Sequence, residues 1–402
     1  MLGPSTTEMR VGLLTGCQDR PYAFGLAMAL VSKGVCLDFI GSSELDSPEL
    51  HTLPKLRFLN LLGTRRPEAI FTDKLFALML YYARLLRYAA GVQPRILHIL
   101  WNNKFDYFDR TLLMLYYKIL RKKVVLTAHN INQGRRDLRD SPLNRLTLKI
   151  QYHLTDHIFV HTMKMKEELC RDFGVADNAI TVLRHPINNA FPDTNLSPSD
   201  AKRRLAIDNS ERTILFFGRI RPYKGLEYLL DAFRRLTSEQ ENYRLIIAGE
   251  PKKGEENYLK EIRQRLDQGF DHGKITQRIQ FIPDEEMELY LKAADVLVLP
   301  YNDIFQSGVL FLAYSFGLPV IATDVGSFRE EIIQGRTGFV CRPKDSLDMA
   351  DTIKKYFTSA LYKDLNRQRQ EIRNYAYSQH SWAAVAELTD AVYEKLADEQ
   401  RS

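Results

Sequence analysis

Short apolar runs alternate with longer amphipathic stretches along the whole chain. In the first half the runs fall at 10–15 (RVGLLT), 35–40, 96–100, 124–128, 157–161 (HIFVH) and 179–183. Runs of this kind, with little internal polarity, predict strands covered on both faces. Helical stretches such as 23–33 lie between them, so the alternation predicts βαβ units and a parallel sheet. A polar break at 189–200, containing Pro192 and Pro198, reads as an interdomain linker. The alternation then restarts, with strands expected at 213–217, 244–248, 279–282, 296–299, 320–322 and 338–341. Helices are expected between them at 226–236, 258–266 and 285–293. A last helical segment, 382–396, is long enough to pack back across the linker onto the first domain. The expected fold class is α/β: two doubly wound, Rossmann-like parallel-sheet domains in tandem.

Bulk properties narrow this picture without redirecting it. The 402 residues exceed what one ordinary core organises, and 45% hydrophobic with 26% charged residues fits a globular chain. The net charge of +6 is uneven: between Arg110 and Ile150, ten Lys/Arg stand against Asp137 and Asp140. Such a patch suits nucleic acid, anionic lipid or a phosphorylated substrate, or is simply a solvated face. No nucleic-acid-binding module accompanies it, so nucleic acid is not an expected partner. Cys17, Cys36, Cys170 and Cys341 match neither a disulfide framework nor a zinc spacing. Cys36 and Cys341 lie in apolar runs and should be buried, and the expected setting is reducing and cytoplasmic. The polar start at 1–9 lacks the layout of a secretory signal. The longest apolar run, 75–83, is cut off by Arg84 and Arg87, far short of the ~20 residues a membrane-spanning helix needs.

Candidate chemistry concentrates at the carboxyl ends of predicted strands, where open α/β sheets bind ligands. Gly218-Arg219-Ile220-Arg221-Pro222-Tyr223-Lys224-Gly225 follows one strand and opens a helix. The planar donor fork of Arg, the compact charge of Lys and the nearby helix N-terminus together suit a diphosphate. The loop 301–306 leads into Ser307-Gly308-Val309, where small residues let backbone N–H groups approach an anion, and Gln306 can hydrogen-bond a neutral polyol. Glu330 opens a later helix, where capping is its plainest role. Gly335–Phe339 reads as a structural turn. In the first half, His129 ends the strand of Thr127-Ala128-His129-Asn130 and is either a hydroxyl or phosphate ligand or an imidazole satisfied locally. His161 and His185 carry the same two readings, and the loop Gly16-Cys17-Gln18-Asp19 also ends a strand.

Taken in order, these stretches resemble the retaining glycosyltransferases of the GT4 family. The resemblance rests on FGRIRPYKGLEYLLDAF, RLIIAGE, IQFIPDEEMELYLKAADVLVLPY, SGVLFLAYSFGLPVIATDVGSFREEI and GRTGFV in the second half. VVLTAHN, DHIFVHTMKMKEEL and ITVLRHPIN in the first half, and HSWAAVAELTDAVY at the end, extend it. It implies the GT-B architecture, two such domains facing a cleft. The acceptor-binding domain would span 1–192, completed by a C-terminal helix at about 376–402, and the nucleotide-sugar domain 193–375. It also implies that Arg219 and Lys224 hold the diphosphate of a UDP- or GDP-linked sugar, without a metal or other cofactor. Transfer would proceed with retention to a glycan or lipid-linked acceptor, in bacterial surface polysaccharide synthesis. Gly218, Gln306, Ser307, Gly308, Val309 and Glu330 would line the donor and His129 would assist catalysis. One departure stands out. The family's two Glu residues around the 301–312 loop correspond, in the gapless register, to Ile304 and Leu312, and Gln306-Ser307-Gly308 takes their place, with Asp303 or Glu330 as compensating carboxylates. A catalytically silent subunit that partners an active enzyme is the alternative. Contact with the inner face of the membrane, through the basic, aromatic stretches 110–123 and 135–149, is the expected peripheral attachment.

Overall fold

The computed structural model describes residues 9–64, 71–91, 93–136, 140–187, 193–239, 242–252, 254–270 and 272–400. The polar start, Asp137 of the basic stretch and 188–192 of the expected linker lie outside them. Two compact units divide the chain. One runs to Pro186 and takes in the stretch from Ser381 onward; the other runs from Ile187 to His380.

The first unit contains seven strands: β1 (Arg10–Leu14), β2 (Cys36–Gly41), β3 (Leu56–Asn60), β4 (Ile96–Ile99), β5 (Lys123–Thr127), β6 (His157–Val160) and β7 (Ile180–Val182). They pair in the order β3-β2-β1-β4-β5-β6-β7, all parallel. Strands β2, β4 and β6 are buried along their whole length, as expected where crossover helices cover both faces of a sheet. The chain winds outward from β1 to β3, then restarts on the other side of β1 with β4, which makes β1/β4 the switch point. The carboxylate of Asp38 on β2, fully buried, accepts from Arg10, Arg57 and Tyr88, so its charge is compensated on every side. The helix Trp382–Asp398 belongs to this unit and packs on the helix Arg20–Ser32. Gly25 allows that approach, because a Cβ there would fall 2.2 Å from the Trp382 ring. Val385, Ala386, Tyr393 and Leu396 complete the core.

The second unit repeats the scheme with β8 (Arg212–Phe217), β9 (Tyr243–Ala248), β10 (Ile275–Arg278), β11 (Val296–Leu299), β12 (Val320–Thr323) and β13 (Gly338–Cys341). Their order is β10-β9-β8-β11-β12-β13, again all parallel, with the switch point between β8 and β11. Two edge strands depart from the sequence expectation. The strand β3 is absent from it, and the strand expected at 279–282 lies at Ile275–Arg278 instead, leaving 279–282 irregular. Each of these strands is buried only at its first residue and partly or fully exposed beyond it, so neither shows the apolar run that marks the central strands. The linker expected at 189–200 ends in helix: Pro198–Arg204 is helical, with Ser197 as its N-cap.

Candidate functional site

The second unit gathers most of its candidate residues at its switch point, and in the first unit His129 and His161 follow β5 and β6. In the second unit, the chain leaves β8 at Gly218, which holds a φ of 99°. A Cβ built there would lie 3.1 Å from Lys224 Nζ and 3.4 Å from Val309 Cγ2. The turn, the Lys224 ammonium and the start of the helix Gly308–Ser315 therefore enclose one point. Lys224 is buried, and its ammonium stands 5.1 Å over the ring of Tyr301. Asn302 N–H donates to the Tyr223 carbonyl at 2.7 Å, tying the loop after β11 to the loop after β8. Arg219 borders this point, 67% exposed, with its Nε 3.3 Å from Glu250 Oε1.

The loop after β11 carries unusual polarity for its depth. Both amide atoms of Gln306 are buried with no hydrogen-bond partner. The Ser327 hydroxyl is in the same state, while its N–H donates to the Phe305 carbonyl at 2.9 Å. Buried polar groups are normally paired, so two orphans on adjoining loops make this a candidate place for a polar ligand. Ser307 precedes the helix Gly308–Ser315 but does not cap it; its Oγ lies 3.4 Å from Tyr301 Oη instead. The first-turn N–H groups of Gly308 and Val309 are left for an external acceptor. Space is open beside Gly308. Ile304 and Leu312 are buried members of the unit's core. Glu330 is exposed on the short helix Phe328–Glu331, and no hydrogen bond or ion pair joins it to the other candidates among the described residues. The structure thus brings Gly218, Lys224, Gln306, Ser307, Gly308 and Val309 together, with Arg219 at the rim and Glu330 apart. Sequence reasoning missed Tyr301, Ser327 and Glu250; no spacing signal singles out any of them.

In the first unit, His129 follows β5 and lies among aromatic rings. Trp101, which follows β4, stacks on it at 4.2 Å between centroids and 2° between planes. Tyr22 meets it edge-on at 4.8 Å. His129 Nδ1 is 3.1 Å from His161 Nε2, and His129 Nε2 is buried without a partner. Burial pushes the His129 imidazole well below its usual range, and His161, His185 and His98 add to that shift. His185 joins the same group, 5.3 Å from His161. Asp19 has a local role: its carboxylate accepts from Tyr22 N–H and caps the helix Arg20–Ser32.

The basic stretch divides. Lys118 and Lys123 pair with Asp156, and Lys122 is buried, donating to the Gly91 and Pro94 carbonyls. Those three are structural. Arg135, Arg145 and Lys149 instead line a cavity of about 240 Å³ with Asn132, Glu168 and Phe173. Beside them, two helical segments present large apolar side chains to solvent. Leu112, Leu115 and Ile119 form a stripe at i, i+3, i+7, with Ile119 78% exposed, and Leu143 and Leu146 form a second. The helix Phe71–Ala90 adds Phe76 at 70% and Met79 at 58% exposure. Among the described residues, no helix is long and apolar enough to cross a membrane, and no group of three or more His, Cys, Asp or Glu side chains is arranged to hold a metal ion. Cys36 and Cys341 are buried as expected, and Cys17 and Cys170 are partly exposed.

Two all-parallel α/β domains, of seven and six strands, define the GT-B fold class, and comparison with known proteins agrees. Residues 21–191 match the model of Glycosyltransferase Family 4, and residues 199–379 match that of Glycosyl transferases group 1. The chain belongs to the glycosyltransferases built from these two domains. An uncharacterized glycosyltransferase of Methanocaldococcus jannaschii is 25% identical over 93% of each chain. A D-inositol 3-phosphate glycosyltransferase of Corynebacterium diphtheriae is 26% identical over 67% of this chain and 64% of its own. Among solved structures, sucrose-phosphate synthase of Thermosynechococcus elongatus superposes with a TM-score of 0.74 at 18% identity, over 97% of this chain and all of the other. HepE of Anabaena, solved with UDP-glucose, gives 0.72 at 14% identity over 96% of this chain and 99% of its own.

Proposed function

We propose that this chain transfers a hexosyl group from a UDP- or GDP-linked sugar, with retention and without a metal, to a glycan or lipid-linked acceptor in bacterial surface polysaccharide synthesis. The observation that carries this reading is the convergence of Gly218, the buried Lys224 and the first turn of the helix Gly308–Ser315 at the β8/β11 switch point. A buried ammonium beside open backbone N–H groups is a site for a dianion. Arg219, at the rim, supplies a second, planar donor set. The bond from the anomeric carbon to the diphosphate oxygen breaks, and the bond from that carbon to the acceptor oxygen forms on the same face. The acceptor proton passes to the departing diphosphate. Negative charge grows on the leaving group, so fixed positive partners stabilise the transition state more than the ground state.

Gln306-Ser307-Gly308 takes over from the carboxylates missing at Ile304 and Leu312. The unpartnered Gln306 amide offers one donor and one acceptor to sugar hydroxyls. Glu330, exposed and outside this cluster, has a marginal part. His129 bonds a sugar hydroxyl from the first unit. The apolar stripes of that unit, flanked by Arg145 and Lys149, suit peripheral contact with an anionic membrane on the cytoplasmic face. The relation to HepE, crystallised with UDP-glucose, favours uridine as the donor base.

The test is a panel of UDP-, GDP- and ADP-sugars scored by the shift they cause in thermal unfolding, followed by nucleotide release on lipid-linked acceptors. The reading expects one UDP- or GDP-sugar to stabilise the fold and to yield an axial product linkage from an axial donor. Stabilisation with no turnover on any acceptor would favour the silent-subunit alternative. No response to any nucleotide sugar would overturn both.

A further inference from the structure

His129 Nε2 is a buried ring nitrogen without a partner, and its chemical character depends on which nitrogen of the ring carries the proton. The neighbouring groups decide that. His161, buried after β6, places Nδ1 3.1 Å from the Leu183 carbonyl oxygen. A carbonyl only accepts, so His161 Nδ1 carries the hydrogen. A neutral His161 then has a bare lone pair on Nε2, which is the atom 3.1 Å from His129 Nδ1. That contact holds only if His129 Nδ1 donates. In the neutral imidazole the remaining nitrogen, Nε2, is an acceptor. The chain of bonds from the Leu183 carbonyl through His161 to His129 is therefore directional. Trp101 stacked on the His129 ring and Tyr22 at its edge hold the ring plane.

We infer that His161 is a positioning residue that fixes His129 as the Nδ1–H tautomer, so that His129 Nε2 accepts a hydrogen bond from a sugar hydroxyl and turns away phosphate oxygens. The inference builds on the proposed transferase reading and sharpens it. A lone pair facing a phosphate oxygen would be two acceptors in contact, whereas a hydroxyl supplies the missing hydrogen. The ligand at this nitrogen is thus an O–H donor, such as a sugar hydroxyl, and not an anionic oxygen. The logic is the second-shell control of imidazole orientation, here with a histidine and a backbone carbonyl as the controlling pair.

Two substitutions separate this role from simple packing. Gln at 161 keeps an acceptor oxygen near the place of His161 Nε2; Phe keeps a ring and removes the acceptor. The full-length chain, labelled with ¹⁵N-histidine, reports the tautomer of His129 directly, with His129→Gln identifying its signals. The wild type and His161→Gln should show His129 protonated on Nδ1, and His161→Phe should lose that preference while remaining folded at a lower unfolding temperature, since the Leu183 carbonyl loses its donor. With a working donor, His161→Phe should lower kcat/KM by about tenfold, the weight of one ordinary hydrogen bond, and His161→Gln should restore it to within a few-fold. An Nε2–H tautomer at His129 in the wild type would overturn the inference, whatever the activity. So would an unaltered tautomer in His161→Phe. Absence of transfer with every donor would count against the transferase reading alone, since the tautomer is read without substrate.

Discussion

Lys224 has its ammonium where a methyl group on Gly218 would point, 3.1 Å away, and Gly218 sits at a φ of 99° that a side chain adopts only with strain. Gly218→Ala should therefore displace the ammonium as well as strain the turn. Expected is a fall in nucleotide-sugar affinity of tenfold or more alongside a lower unfolding temperature, read by calorimetry and by thermal melts. Asp109 tests a different kind of burial. Its carboxylate accepts from Tyr82 Oη at 2.9 Å, its second oxygen has no partner, and burial raises its pKa to about 6. A carboxyl raised in the fold stabilises it only while protonated, and that contribution disappears as pH climbs from about 4 through 6. Asp109→Asn keeps an acceptor for Tyr82 and removes the charge. It should be more stable than the wild type at pH 7.5, by about 1–3 kcal/mol in denaturant unfolding, and equal to it near pH 4. At this scale the sequence was partly legible. Lys224 and Gly218 stood out because a cation and a glycine after a buried strand have a ready physical use. Ser327, Tyr301 and the His161 relay did not, because their roles depend on neighbours brought together only by the fold.

The strands explain which elements could be read. The central strands, such as β11, read as near-continuous apolar runs because helices cover both faces, and these runs were placed to within a residue or two. The edge strands β3 and β10 expose part of their length and carry Arg57, Asn60, Gln277 and Arg278, so their signal is diluted. The strands of the first unit also bury imidazoles that must stay neutral. Burial and the nearby His157 bring His98 on β4 down to about 3, and burial with Lys395 brings His157 on β6 to about 4. In an unfolded chain all of these titrate near 6.5, so unfolding takes up protons once the pH drops below that value. A group depressed in the fold contributes stability above its unfolded pKa and loses it as pH falls. For His98 and His157 together the loss approaches about 2.5 kcal/mol per pH unit toward pH 5, and His129 adds to it in the same direction, which a melting series across that range would register. The helical stripes make the second prediction at this scale. Leu112→Glu combined with Ile119→Glu should leave the melting temperature unchanged, since both side chains are exposed, and abolish cosedimentation with phosphatidylglycerol vesicles. Unchanged cosedimentation would remove the membrane contact from the account.

At the scale of the molecule, the same winding occurs twice, in orders β3-β2-β1-β4 and β10-β9-β8-β11, and each copy carries its candidate residues on loops that follow strands. That repetition was legible from the alternation of runs alone, since only βαβ units produce it. The basic stretch shows the opposite case. Ten cations in a short segment suggested one patch, yet Lys118, Lys122 and Lys123 are committed to Asp156 and to backbone carbonyls. A linear count cannot separate a charge that folds the chain from one that meets a partner. The second unit's site carries the central claim, that a nucleotide-sugar diphosphate is held by Lys224, Arg219 and the first turn of the helix Gly308–Ser315. Titration calorimetry of UDP-glucose, with GDP-mannose as its counterpart, into the wild type, Lys224→Ala and Arg219→Ala tests it directly. The account predicts saturable binding of one donor by the wild type and a loss of about 10- to 100-fold in each variant, at melting temperatures that show both still folded. Equal affinity in all three proteins would contradict it.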